Sequence, residues 1–63
     1  MLKGTVKSFN EAKGWGFIVD SASGEEIYFH VSGLIDKVKV GDTVTYQIER
    51  GKLGMNAVFV QIA

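Results

Sequence analysis

Two short runs in this chain combine aromatic rings with glycine, lysine and histidine. They are Lys13-Gly14-Trp15-Gly16-Phe17-Ile18 and, ten residues further on, Tyr28-Phe29-His30. Alternate side chains of a strand share a face, so Trp15 points with Phe17 and Tyr28 points with His30. If the runs pair as a hairpin, three aromatic rings and an imidazole share one surface. Flat π faces are suited to stacking against nucleic-acid bases.

Residues flanking this surface extend the candidate binding site. Lys7 and Lys13 are expected to contact phosphates, whereas the sequence does not fix how far Lys3 and Lys52 lie from the rings. His30 is expected to stack or to donate a hydrogen bond to a base or phosphate. The sequence places no serine, cysteine or carboxylate constellation around it, so we predict no catalytic residue. Two interpretations of Phe9 are open: it fills the rim of the fold, or it is a further ring that stacks on a base.

Length and composition limit what the chain can do. Its 63 residues predict one domain, 1–63, that is too small for a large internal cavity, so function is expected at the surface. Seven basic and seven acidic residues cancel, which counts against strong long-range attraction to polyanions. The basic residues Lys3, Lys7 and Lys13 nevertheless collect in the first 17 residues, and most of the acidic residues, which are expected to form a solvated face, lie beyond them.

Cysteine is absent and His30 is the only histidine. Disulfides, thiolate-bound metals and multi-histidine metal sites are therefore not expected, and neither is a cofactor. No long apolar run predicts a membrane span or a signal-peptide core. We expect a cytoplasmic protein that does not bind membranes.

Short apolar segments alternate with turn-rich ones along the chain, and no helical period is evident. The pattern predicts five strands, over residues 2–9, 15–20, 26–31, 43–50 and 56–62. Five strands in so short a chain favour closure, because a closed sheet has no exposed edge. The predicted fold is an all-β, five-stranded antiparallel barrel of the OB type.

Alternation assigns the strand residues to faces. The inward residues of the third strand are expected to be Ile27, Phe29 and Val31. In the fourth strand Val44, Tyr46 and Ile48 alternate with polar residues. In the first strand, Phe9 falls on the same face as Lys7. In the fifth, Val58, Val60 and Ile62 oppose Ala57, Phe59 and Gln61, and Leu34 with Ile35 is expected to close the end of the barrel. An exposed Phe59 raises the possibility of self-association in a chain otherwise expected to be monomeric, which sedimentation of the wild type and Phe59→Ser tests.

The two runs resemble the ribonucleoprotein motifs of the bacterial cold-shock proteins, a subset of OB-fold nucleic-acid binders. The first run is similar to Lys-Gly-Phe-Gly-Phe-Ile, and Ile27-Tyr28-Phe29-His30-Val31 is similar to Val-Phe-Val-His-Phe. Gly4-Thr5-Val6-Lys7 with Phe9-Asn10 also matches the first strand of that family. The resemblance runs from residue 1 to the end of the chain with few gaps. It implies binding of single-stranded RNA or DNA with low sequence specificity, and a role as an RNA chaperone in cold adaptation.

Three departures from that family's pattern bear on affinity. The family usually has tryptophan where this chain has Ser8, and phenylalanine where it has Val31. The connection 32–41 looks shorter than usual and contains no aromatic residue. Each stacking contact contributes about 1–3 kcal/mol, so we expect weaker binding or a shorter footprint than in a relative that keeps these rings.

The sequence also allows other functions. An OB-type module can bind an oligosaccharide or a protein partner, but the flanking lysines then have no evident purpose. A small enzyme is improbable with one histidine, no cysteine and no clustered carboxylates, and no small-molecule substrate is expected. A designed or recombined sequence with altered binding is compatible with the three departures.

Overall fold

The computed structural model describes residues 2–51 and 54–63. Its strands are β1 (Leu2–Asn10), β2 (Trp15–Asp20), β3 (Glu26–His30), β4 (Thr43–Gly51) and β5 (Gly54–Ile62), with one 3₁₀ turn at Val31–Gly33. All five predicted strands are present, with ends that differ by up to two residues. Of the predicted turn between β4 and β5, Lys52 and Leu53 lie outside the described residues.

The strands form a closed barrel in the order β1-β2-β3-β5-β4. The pairs β1–β2, β1–β4, β2–β3 and β4–β5 are antiparallel. The barrel closes through β3 and β5, which run parallel at Tyr28–Asn56 and Phe29–Ala57. The predicted all-β, OB-type barrel is confirmed, and this parallel closure is the pairing that alternation alone does not give.

Alternating apolar residues fill the interior of the barrel. The buried core comprises Val6, Ile18, Ile27, Phe29, Val38, Val44, Tyr46, Ala57 and Val60. Phe9, Leu34 and Ile48 pack against it while remaining partly accessible. Because β2 and β3 bury Ile18, Ile27 and Phe29, the alternate residues of both strands must face outward.

Two bulges alter the faces predicted from alternation. In β1, Val6 pairs with Ile18 but Ser8 pairs with Phe17, so Lys7 is an extra residue. Phe9 therefore does not share the face of Lys7 as predicted. It lies opposite the buried Gly16, and its ring centroid is 5.4 Å from that of Phe29.

The bulge in β5 lies opposite the step from Thr45 to Gln47. Ala57 and Val60, three residues apart, both point inward, so the prediction that they lie on opposite faces was wrong. Between them Phe59 has φ 52°, a left-handed conformation that is strained for a bulky side chain. Phe59 is exposed, as predicted. Self-association through its ring stays a prediction.

The connection between β3 and β4 closes one end of the barrel in an unexpected way. Val38 is buried and Leu34 is half-buried, but Ile35 is exposed rather than packed into the end. Val31 was predicted to face inward and instead starts the 3₁₀ turn, where it is 48% exposed.

One acidic residue departs from the expected solvated face. Asp20, at the end of β2, is buried, and its Oδ2 accepts a 2.6 Å hydrogen bond from the Tyr46 hydroxyl. Its Oδ1 accepts hydrogen bonds from the backbone N–H groups of Ala22 and Ser23. One carboxylate thus satisfies a buried hydroxyl and fixes the turn between β2 and β3.

Candidate nucleic-acid interface

The rings of Trp15, Phe17 and Tyr28 lie together on the outer face of β2 and β3. We call these three rings the aromatic platform. Trp15 and Phe17 alternate with buried residues of β2, and Tyr28 pairs with Phe17 across the hairpin. The centroid of Trp15 is 5.7 Å from that of Phe17 and 6.3 Å from that of Tyr28, while Phe17 and Tyr28 are 6.1 Å apart. The sequence prediction that these three residues share one surface is confirmed.

The rings hold one another in a defined arrangement. Trp15 and Tyr28 are nearly parallel, with an interplanar angle of 24°, whereas Phe17 is steeply inclined to both, at 85° and 75°. Such edge-to-face contacts are favourable because the positive edge of one ring meets the negative face of another. All three rings remain partly exposed. The platform therefore exposes π faces that the ring contacts orient relative to one another.

The structure explains why positions 14 and 16, in the run Lys13-Gly14-Trp15-Gly16-Phe17-Ile18, are glycine. Gly14 has φ 77° in the turn that enters β2, a conformation that glycine adopts at no steric cost. A Cβ on Gly16 would lie 2.8 Å from Cζ of Phe29 and would also meet the backbone oxygen of Ser8. Gly16 therefore makes room for a core ring on the inner side of the sheet rather than for a base on the outer side.

His30 extends the platform at the end of β3. It pairs with Trp15, is exposed, and its Nδ1 lies 3.1 Å from the backbone N and 2.9 Å from the Oγ of Ser32. The backbone N–H can only donate, so Nδ1 is the acceptor and the neutral ring carries its proton on Nε2. Ser32, which sequence reasoning missed, thus orients His30 so that its donor is the nitrogen that remains for a ligand.

The two predicted phosphate-contacting lysines differ in their surroundings. Lys7 Nζ is 3.2 Å from Glu26 Oε2, an ion pair that sequence reasoning missed although Glu26 shares the outward face of Tyr28. Lys13 is exposed in the turn before β2, where its backbone N–H donates to Oδ1 of Asn10. Lys3 is paired with Thr45 of β4, away from the platform.

Ser8 and Phe9 occupy different positions relative to the platform. Ser8 is exposed and directly opposite Phe17 in β1. Phe9 packs against the core while remaining partly accessible, and it lines an open concavity of about 450 Å³ together with Ser8 and Trp15. A contact between Phe9 and nucleic acid stays a prediction.

The sequence of the whole barrel matches a known domain. A sequence profile described as the 'Cold-shock' DNA-binding domain covers residues 2–63. The chain belongs to the cold-shock domain family. Membership confirms the resemblance read from the two motifs and places the chain among nucleic-acid-binding domains.

Individual relatives share about two fifths of their residues with this cold-shock domain. The Cold shock-like protein CspD of Escherichia coli strain K12 is 41% identical over 61 residues, covering 90% of this chain and 82% of its own length. The Cold shock-like protein CspA of Stigmatella aurantiaca is 38% identical over 61 residues, with 90% of each chain covered. Both similarities extend over most of each protein.

A solved structure supports the fold independently. Drosophila Unr CSD456 superimposes with a TM-score of 0.82 at 20% sequence identity, over 98% of this chain. The chain spans about a quarter of that longer protein (26%). At this identity the similarity concerns the barrel alone.

None of the helical structure in residues 2–51 and 54–63 is long and apolar enough to span a membrane. Within the same ranges, no three histidine, cysteine or acidic side chains come together in a way that could hold a metal ion.

Proposed function

We propose that this cold-shock domain binds single-stranded RNA or DNA by stacking successive bases on Trp15, Phe17 and Tyr28. His30 adds a ring and the Nε2–H donor at one end of the platform. Lys7 and Lys13 contact phosphates, and Phe9 contributes its accessible edge next to Trp15.

The observation that carries this proposal is the ring cluster itself. Three partly exposed rings within 6.3 Å of one another form an apolar surface that is costly to leave in water unless it binds something. Stacking requires unpaired bases, because the faces of paired bases are covered by their neighbours in a duplex. Every base has a π face, so such a platform discriminates weakly between sequences.

The biological role that follows is that of an RNA chaperone. A protein that binds unpaired strands and not hairpins shifts the equilibrium between them toward the open form. This effect needs no nucleotide hydrolysis. It depends only on the difference in affinity between the two forms of the RNA.

The test is a titration of Trp15 fluorescence with oligo-dT and oligo-U at several salt concentrations. Trp15 is the only tryptophan of the chain, so its quenching reports directly on the platform. Phe17→Ala and Tyr28→Ala should each weaken binding by about 1–3 kcal/mol, or about five- to 150-fold, because each removes a stacking face. Circular dichroism checks that both variants still fold.

Leu2→Ala is the matched control. Leu2 is an apolar residue with 44% of its surface exposed, and it lies at the end of β1 away from the aromatic platform. It should leave the affinity unchanged. Trp15 emission that stays constant at saturating oligonucleotide contradicts the proposed site.

The same titration separates nucleic acid from the other ligands of OB-type modules. The affinity of single strands should fall as salt rises, with a slope near −0.7 per phosphate contacted. Binding of an uncharged oligosaccharide would be almost independent of salt. A salt-independent interaction that is stronger for sugars than for oligo-dT therefore favours the alternative.

A further inference from the structure

The ion pair between Lys7 and Glu26 lies beside the aromatic platform. Lys7 is in β1 and Glu26 is in β3, and β2 lies between these two strands in the barrel. Because both side chains are exposed and their charged atoms are 3.2 Å apart, they must meet across the outer face of β2. There they lie over the outward residues Val19 and Phe17, since Glu26 pairs with Val19 and the bulge at Lys7 is opposite the Phe17–Ile18 step.

The position of Glu26 follows from the geometry of the hairpin. Glu26 pairs with Val19 and precedes Tyr28 by two residues, so the two side chains point to the same face. A nucleic-acid strand that stacks on Phe17 and Tyr28 and places a phosphate at Lys7 brings that phosphate close to the carboxylate of Glu26. The Lys7–Glu26 pair is the only ion pair detected in the described part of the chain.

We propose that Glu26 sets the affinity of the platform for nucleic acid by competing with phosphate for Lys7. This inference rests on the proposed function and assigns a regulating group to the same surface. The two side chains are 56% and 52% exposed, so the pair is weak and can open when a phosphate arrives. When a phosphate binds Lys7, the ion pair breaks and the Glu26 carboxylate is left near the phosphate. Both effects reduce the free energy that the contact between Lys7 and the phosphate contributes to binding.

The competition also changes the dependence on salt. A lysine that carries a free charge releases counterions when it meets a phosphate chain, which is the origin of the salt slope. Lys7 is already neutralised by Glu26, and Glu26 must recruit a cation once Lys7 leaves it. The contact at Lys7 is therefore expected to add little to the slope in the wild type, whereas Lys13 adds its full share.

Glu25 provides a matched control on the same segment. It is an exposed acid adjacent to Glu26, and its backbone rather than its side chain makes the contacts of the turn. Glu25→Gln and Glu26→Gln remove the same charge one residue apart. A general change in net charge would affect binding equally in both variants.

The experiment measures oligo-dT affinity by Trp15 quenching over a range of salt concentrations for the wild type, Glu26→Gln, Glu25→Gln, Lys7→Gln and the double variant of Lys7 and Glu26. Glu26→Gln should tighten binding about two- to five-fold at low salt, the range of an exposed ion pair, and steepen the slope by up to about 0.7. Glu25→Gln should have a smaller effect. In the Lys7→Gln background the gain from Glu26→Gln should disappear.

Three results would overturn the proposal while leaving the platform in place. They are an unchanged affinity in Glu26→Gln, an equal gain in Glu25→Gln, and a gain from Glu26→Gln that persists without Lys7. The last would show that Glu26 repels phosphates directly and does not compete for Lys7. Absence of oligonucleotide binding by the wild type overturns the proposed function itself and this inference with it.

Discussion

Ser8 illustrates how one side chain can set the extent of the proposed binding surface. The β1 bulge places Ser8 outward, opposite Phe17 and next to a concavity of about 450 Å³ that Phe9 and Trp15 also line. Cold-shock proteins usually have tryptophan at this position. The hydroxymethyl group of Ser8 offers no stacking face, so the platform ends at Phe17 on the β1 side.

Ser8→Trp should therefore extend the platform and strengthen binding. One added stacking face contributes about 1–3 kcal/mol, so affinity for oligo-dT should rise about five- to 150-fold. Because Ser8 is exposed, the larger side chain needs no repacking of the core. A second tryptophan changes the fluorescence signal, so anisotropy of a labelled oligonucleotide is the appropriate measurement.

Leu2→Trp controls for added aromatic surface, since Leu2 is exposed on the same strand but pairs with Tyr46 of β4, at the end of β1 away from the platform. It should change affinity much less than Ser8→Trp. Equal gains in the two variants would mean that the tryptophan acts through nonspecific apolar contact and that Ser8 does not lie on the path of the strand.

At the level of elements, the β2–β3 hairpin carries the platform, and Asp20 fixes its turn. Hydrogen bonds lower the pKa of Asp20 below its ordinary value of 3.8. The largest effect comes from the Tyr46 hydroxyl, and smaller ones come from the backbone N–H groups of Ser23 and Ala22. Burial of Tyr46 is the main cause that raises its pKa above the ordinary value of 10.0, and the hydrogen bond to Asp20 raises it further. The pair is thus held in the carboxylate and phenol forms by the fold.

These two shifts predict how stability depends on pH. The folded state binds fewer protons than the unfolded state between the lowered pKa of Asp20 and 3.8, so stability should fall as the pH drops below about 4. For Tyr46 the folded state retains a proton that the unfolded state loses above pH 10.0, so stability should also fall as the pH rises past that value. Thermal unfolding followed by circular dichroism between pH 2 and pH 11 measures both limits.

Asp20→Asn should lower Tm at neutral pH and flatten the acid limb, because its amide carries no titrating charge. Its Tm should approach that of the wild type as the pH falls and Asp20 becomes protonated. Glu25→Gln should leave the acid limb steep. An acid limb in Asp20→Asn as steep as that of the wild type would assign the acid sensitivity to other carboxylates.

Sequence alternation predicted most of the hairpin but failed where a strand contains an extra residue. In β2 and β3 the strict period of two separates Trp15 and Tyr28 from Ile18 and Phe29, and the structure agrees. A bulge reverses the period beyond it, and the residue types give no signal of that reversal, so Phe9 was assigned to the wrong face. The fifth strand failed for the same reason.

Long-range pairing explains the other omissions. The hydrogen bond between Asp20 and Tyr46 joins residues 26 apart in sequence, and the parallel pairing of β3 with β5 depends on barrel closure. An inward tyrosine predicts that its hydroxyl needs a partner, but it does not say which residue supplies it. The ion pair at Lys7 could have been anticipated, since Glu26 and Tyr28 share a parity.

At the scale of the whole molecule, the proposed binding depends unequally on charge and on stacking. The net charge is zero, and Lys7 and Lys13 are the two lysines assigned to the platform, one of them paired with Glu26. Long-range attraction to a polyanion is therefore weak. In the binding mode we propose, most of the affinity therefore comes from the rings, whose stacking depends little on counterions.

This balance predicts binding that survives moderate salt. One to two lysines at about 0.7 each give a slope between about −0.7 and −1.4, so oligo-dT affinity should fall only about three- to seven-fold from 50 to 200 mM salt. Ser8→Trp adds a ring and no charge, so it should raise affinity at every salt concentration without changing the slope. Lys13→Gln should make the slope shallower while Trp15 quenching at saturation is retained. A slope beyond about −3 would require phosphate contacts from more cations than the platform provides, and it would place the path of the strand on another face of the barrel.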